Sequence, residues 1–108
     1  MKGERLGEFE ELVLLSVCAL GDSATGSSIQ QTLEKEADRD VSLGALYAAL
    51  DRMARKGYVA SRLGEPLRER GGRARRHYRA TAAGRRALEE LRLARAQLWR
   101  RIAVATRR

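Results

Sequence analysis

A chain of 108 residues with 44% hydrophobic and 33% charged side chains is long enough for one compact domain and too apolar for a disordered tail. Its longest apolar stretch, Leu12–Leu15 and Val17–Leu20 around Ser16, is shorter than the ~18–20 residues of a transmembrane helix, and one cysteine with one histidine excludes an internal disulfide and a zinc site. The formal charge of +8 is unevenly spread: residues 1–60 hold 7 basic and 10 acidic groups (−3), residues 61–80 hold 7 and 2 (+5), and residues 81–108 hold 8 and 2 (+6). A localised footprint for a polyanion has this form.

Phe9, Leu12, Val13, Ser16, Val17 and Leu20 recur at three- and four-residue steps, with Leu15 and Cys18 beside them. They predict a deeply buried first helix from about Gly7 to Leu20. Cys18 is expected to fill core space, with a redox switch as the alternative. Glu8, Glu10 and Glu11 open this helix where a signal peptide would carry positive charge, so a metal-free, cytoplasmic, nucleoid-associated protein is expected. Gly21-Asp22-Ser23 reads as a stop and turn. A second helix follows from about Gly26 to Ala37, with Ile29, Leu33 and Ala37 inward.

The connection Asp38–Val41 leads to Ser42, a good N-cap, and to a third helix over about Ser42–Lys56, ended by Gly57. Leu43, Leu46, Leu50 and Met53, with Tyr47 and Ala54 alongside, form the expected inward stripe. Ser42, Gly44, Ala45, Ala48, Ala49, Arg52, Arg55 and Lys56 fall on the other face. Glycine costs about 1 kcal/mol in a helix relative to alanine, so Gly44 requires either close approach to an outside surface or close packing against the second helix.

After Gly57 the period changes from 3.6 to 2. Val59, Ser61 and Leu63 alternate with Tyr58, Ala60 and Arg62, and Ala74, Arg76, Tyr78 and Ala80 alternate with Arg73, Arg75, His77 and Arg79. Across Gly64–Gly72 this predicts a β-hairpin with a basic face of Arg73, Arg75, His77 and Arg79 and with Arg68 and Arg70 near the tip. Nineteen of the 22 basic residues are arginine, which suits bidentate phosphate contacts. A GC-rich coding bias, consistent with 17 alanines and no asparagine, accounts for most of the preference over lysine but not for the clustering. Thr81 caps a last helix from about Ala82 to Thr106. Ala87, Leu91, Ala94, Leu98, Ile102 and Ala105 line one stripe, flanked by Leu88, Trp99 and Gly84. At 1.5 Å per residue this helix runs roughly 37 Å, too far for a three-helix body to cover, and a stripe bearing tryptophan points to a second subunit.

The element order is that of a mainly α winged helix–turn–helix with a small β-hairpin and a long C-terminal dimerisation helix. Residues 1–80 are expected to form the DNA-binding domain and residues 81–108 the dimerisation helix, in one compact unit. One helix fits the ~12 Å major groove. The third helix is assigned to it through Ser42, Gly44, Ala45, Tyr47, Ala48 and Arg52, with the hairpin arginines and His77 along the flanking DNA backbone or minor groove. Tyr47 is open between two roles, a core tyrosine and a hydroxyl at the helix edge beside a phosphate. No convergent acid, base or nucleophile set is visible, so no enzyme and no cofactor are expected.

Val41-Ser42-Leu43-Gly44-Ala45-Leu46-Tyr47-Ala48-Ala49-Leu50, followed by Arg52-Met53 and Gly57-Tyr58-Val59, resembles the recognition-helix signature of PadR-type transcriptional regulators. Gly71–Ala80 and Thr81-Ala82-Ala83-Gly84 resemble the wing of that family and the entry to its last helix, and the resemblance extends from about Leu12 to Leu91. Ala45 stands where the family often has threonine and Ala48 where it often has proline, departures that bear on the operator sequence. The resemblance implies a homodimeric repressor of the compact subgroup, released from DNA by a small hydrophobic or phenolic effector, with Tyr47 near the DNA backbone. The expected partners are an inverted-repeat duplex and a second copy of the chain, and no membrane. Leu91, Leu98, Trp99 and Ile102 are the expected dimer-interface or effector-binding residues, Trp99 either packing the dimer or walling an aromatic slot. The alternatives are a nonspecific nucleic-acid-binding architectural protein and a winged-helix adaptor for protein partners.

Overall fold

In the computed structural model, residues 5–64 and 75–106 are described. They form helix α1 (Glu8–Leu20), a 3₁₀ turn (Gly21–Ser23), α2 (Gly26–Ala37), α3 (Leu43–Arg55), strands β1 (Val59–Leu63) and β2 (Arg76–Ala80), and α4 (Ala82–Thr106). This is the predicted winged helix–turn–helix with a long last helix, and the boundaries follow local chemistry. Thr25 and Ser28 close a reciprocal box at the start of α2: Ser28 Oγ accepts from Thr25 N–H at 2.8 Å and Thr25 Oγ1 accepts from Ser28 N–H at 3.3 Å. Ser42 Oγ accepts the Ala45 N–H at 3.1 Å, a cap worth about 1 kcal/mol. Gly57 ends the α3 region at φ +81°, a conformation in which any side chain is strained.

The core lies where the three body helices meet the base of the hairpin. Val13, Leu14 and Val17 of α1, Ile29 and Leu33 of α2, and Leu46, Ala49, Leu50 and Met53 of α3 are all buried, together with Val59, Tyr78 and Ala80. Burying a large aliphatic side chain stabilises by about 1.5–3 kcal/mol, so these residues fix the angle at which α3 is held. The expected stripe of α1 is largely met: Val13, Ser16 and Val17 are buried, and Phe9, Leu12 and Leu20 are partly buried against the core. Glu10 and Leu14 join it, whereas Leu15 is 46% exposed and Cys18 is exposed. Cys18 therefore does not fill the core. The stripe of α3 is rotated from the expected one, with Ala49 buried while Leu43 and Tyr47 stay exposed.

The strands pair antiparallel with Val59 opposite Ala80, Ser61 opposite Tyr78 and Leu63 opposite Arg76. A backbone bond from Tyr78 N–H to Ala24 O at 2.9 Å and a bridge between Thr25 and His77 fasten the hairpin to the start of α2. Thr81 joins the two ends of this unit: its Oγ1 accepts the Gly84 N–H at 3.0 Å and donates to Gly57 O at 2.6 Å. Gly84 allows α4 to cross here, because a Cβ at this position would overlap the Tyr58 carbonyl oxygen and lie 3.1 Å from its carbon. Beyond that crossing α4 extends along α1, held by Leu88 against the core edge and by Arg95 Nη2 donating to Glu11 Oε1 at 2.8 Å.

Candidate nucleic-acid interface

The outer face of α3 is low in relief. Ser42, Gly44, Ala45 and Ala48 are all exposed, and a Cβ at Gly44 would have no atom within 4 Å. Close packing against α2 is therefore not what keeps this position small. Asp51 and Arg55, at helical spacing from Gly44 and Ala48, share the same exposed face. They complete a strip that opens with an unencumbered helix start and ends in charge.

Arg52 is placed differently from its expected role. Its Nε donates to Glu10 Oε2 at 3.2 Å, and Lys56 Nζ donates to Glu10 Oε1 at 2.8 Å. The guanidinium is thus turned back onto α1 and away from the centre of the strip. Burial alone pushes the Glu10 carboxyl up. The Gly7 N–H, Lys56 and Arg52 together outweigh that effect and hold it below the ordinary value of 4.5.

Tyr47 is not a core tyrosine. It is 43% exposed, and its ring lies over Gly26, where an added Cβ would sit 2.8 Å from Cζ and closer still to the hydroxyl oxygen. The hydroxyl consequently stands at the first turn of α2. Together, Tyr47 and Asp51 of α3, Thr25 and Ser27 at the start of α2, and Leu63 and Arg76 of the hairpin line a cleft of about 630 Å³. Unpaired N–H groups at a helix start favour an anion, and the cleft combines that end with a phenol and cations.

Arg68, Arg70 and Arg73 lie outside the described residues. Arg75 is exposed and borders the cleft. His77 is only half exposed, with Nδ1 3.2 Å from the Asp22 carbonyl oxygen. It lines a smaller recess with Arg62 and Arg79 on the side of the 3₁₀ turn. Strand alternation separates Arg76 from His77. Tyr78 must face the core, so Arg76 faces the cleft, where it donates to Ser61 Oγ at 3.1 Å, and His77 faces the other way. Arg76 was not among the expected contacts, although its place opposite His77 in the alternation was readable. Asp51, Thr25 and Ser27 were also missed, and only the tertiary arrangement brings them to the cleft.

The chain matches the Transcriptional regulator PadR-like family over residues 14–90. It belongs to that family. Its fold is similar to that of a PadR-like transcription factor from Bacteroides fragilis, with 26% identity, 90% of this chain and 88% of that chain covered, and a TM-score of 0.73. A PadR-like transcriptional regulator from Bacillus cereus is similar at 21% identity, 91% and 90% coverage and a TM-score of 0.71. So is part of the Aeropyrum pernix Orc1 protein in complex with DNA, at 25% identity, covering 82% of this chain and 25% of that chain, with a TM-score of 0.63. No curated protein matches the chain.

This PadR-like chain is thus a DNA-binding transcriptional regulator, in a family of regulators and not of enzymes. No described helix is long and apolar enough to cross a membrane. The outer part of α4 is uncovered within one chain: Leu98 is 65% exposed, Trp99 68% and Ile102 50%, whereas Leu91 is half-buried near the body. Gly84 is the only buried residue of α4 among those described. Cys18 sits on the exposed side of α1. Partial burial raises its thiol pKa, against the lowering effect of the Arg85 charge, which makes it a poor nucleophile.

Proposed function

We propose that this PadR-like regulator is a homodimeric repressor that occupies an inverted-repeat operator and leaves it when a small hydrophobic or phenolic effector binds. The observation that carries the DNA-reading part is the open space over Gly44 at the start of α3, beside the cleft bordered by Arg75 and Arg76. A helix start without bulky side chains lets the backbone approach base edges in the major groove. In this reading Ser42, Gly44, Ala45 and Ala48 lie nearest the bases. Tyr47, with the first turn of α2, takes a backbone phosphate. Arg75 and the hairpin arginines Arg68, Arg70 and Arg73 grip the flanking duplex, with Arg76 added from the cleft and His77 supporting the hairpin from its Asp22 side. The likeness to a protein bound to DNA supports the same assignment.

Dimerisation is supported by the exposed apolar side chains of α4. Leu98, Trp99 and Ile102 leave a long amphipathic helix without a covering layer, and a symmetric copy supplies one. Leu91 then lies at the inner edge of that interface. Two copies related by a two-fold axis present two α3 helices to half-sites one or two turns apart. A flat apolar effector fits the neighbourhood of the paired Trp99 side chains, and tryptophan fluorescence reports its arrival.

A mobility-shift titration with the duplex upstream of the regulator's own gene, competed by random-sequence duplex, tests the reading. Preferential retention of the upstream duplex is expected. Arg75→Ala and Arg76→Ala should each flatten the salt dependence by about 0.9 in log–log slope. Equal competition by random duplex would reject a sequence-specific repressor. Sedimentation of the native chain as a monomer at micromolar concentration would reject the dimer.

A further inference from the structure

Arg52 and Lys56 leave the C-terminal half of α3 on the flank of its outer face, yet both are turned onto one acid of another helix. Glu10 Oε2 accepts from Arg52 Nε at 3.2 Å, while Oε1 accepts from Lys56 Nζ and from the Gly7 N–H, each at 2.8 Å. Glu10 is only 5% exposed. Lys56 Nζ has a second acceptor, the Arg5 carbonyl oxygen at 2.8 Å. The two cations differ in freedom, since the Arg52 side chain is 47% accessible and that of Lys56 16%.

We propose that Glu10 is a positioning residue that limits sequence-independent affinity: it acts as an internal substitute for a phosphate and withholds Arg52 from the DNA backbone. The inference rests on the DNA-binding reading of α3. A cation that reaches a phosphate adds affinity for every sequence through counterion release and carries no base information. A guanidinium on the flank of a recognition helix therefore raises binding to random DNA in step with binding to the operator. Here a buried carboxylate already holds it at hydrogen-bonding distance. A phosphate must compete with that preformed partner, and random duplex gains nothing from Arg52. Lys56, fixed also by the Arg5 carbonyl, stays in place when the carboxylate loses its charge, so one additional phosphate contact is expected and not two.

The test uses Glu10→Gln in the full chain, with binding to random-sequence duplex and to the upstream duplex measured across a salt series. Glu10→Gln should retain the native circular dichroism spectrum at neutral pH and bind random duplex more tightly. Its slope should be about 0.9 steeper on both duplexes, with the ratio of specific to random affinity unchanged. A folded variant with an unchanged or flatter random-duplex slope overturns the proposal, since loss of a purely structural acid would not steepen it. Arg52→Ala in the otherwise native chain is a second arm that does not depend on folding without the Glu10 charge. Its random-duplex slope should equal that of the native chain, and a slope flatter by about 0.9 would mean that Arg52 already contacts phosphate and overturns the proposal. Failure of the native chain to bind either duplex instead rejects the DNA-binding reading, and the proposal with it.

Discussion

Replacing Gly44 with alanine separates the stability of α3 from its use. The position is helical, its backbone is not in the left-handed region, and an added methyl meets no atom within 4 Å. Within the chain the change therefore costs nothing sterically and removes the conformational entropy of glycine. In a helix interior that is worth about 1 kcal/mol, and less in the first turn, where Gly44 stands. The melting temperature should rise by up to about 5 °C. Operator binding should move in the opposite direction, because the methyl occupies the space between helix and base edges. Loss of a single good base contact costs about 1–3 kcal/mol, or roughly 5- to 150-fold in affinity at 1.4 kcal/mol per tenfold. Thermal melts followed by circular dichroism and mobility shifts on the upstream duplex measure both quantities on one preparation. A lowered melting temperature would refute the open space over Gly44. A raised one with unchanged operator affinity would refute the close approach of this face to DNA.

Gly26→Ala should leave the melting temperature nearly unchanged, because its Cβ displaces only the far end of the Tyr47 side chain. Operator affinity should fall as the phenol is pushed from the start of α2, and equal affinities would remove Tyr47 from the interface. Gly84→Ala should lower the melting temperature by several degrees. Its Cβ meets Tyr58 backbone, which no rotamer relieves, and the overpacking cost of about 1–3 kcal/mol exceeds what alanine returns to the helix; an unchanged melting temperature would contradict this crossing. Glu10 has its carboxyl held below 4.5 in the folded chain, so its contribution to stability is full above that value and is lost as pH falls through the lower folded pKa. The difference in melting temperature between the native chain and Glu10→Gln should be largest at neutral pH and close below about pH 4.5, and a difference independent of pH would show that the charge of Glu10 does not stabilise the fold.

Elements were legible in the sequence wherever a single periodicity ran between good caps. α2 occupies its expected residues, Ser42 and Thr81 cap as their positions suggest, and the change of period after Gly57 marks the hairpin. Faces were harder to read. The expected stripe of α1 did not include Leu14, and Glu10, the acid that shares its inner stripe with Val13, Leu14 and Val17, carries no apolar signal. The Gly7 N–H and the approach of Arg52 and Lys56, more than forty residues along the chain, make its burial tolerable. The same contact removes Arg52 from the expected strip on α3. The cleft was invisible for a related reason: Thr25 and Ser27 acquire meaning only when Tyr47 and Arg76 arrive from other elements.

Three glycines with one appearance in the sequence thus have three different physical roles. At Gly84 the missing side chain admits a neighbouring backbone, so it serves the fold. At Gly26 it admits the ring of Tyr47, so it shapes the cleft that the ring borders. At Gly44 it admits nothing belonging to this chain. A residue that lowers helix propensity without relieving any internal contact fits the proposed close approach of an outside surface. The same reasoning applies in reverse to the arginines. Those that find a carboxylate within the chain, Arg39 on Glu8, Arg52 on Glu10, Arg92 on Glu89 and Arg95 on Glu11, have their charge answered internally. Arg75 and Arg76 instead border an open cleft in which Asp51 is the only acid among the described lining residues. The charge of +8 is therefore a poor measure of grip on DNA, and in the proposed reading the part of it that borders the cleft beside the empty space over Gly44 is the part that a duplex meets.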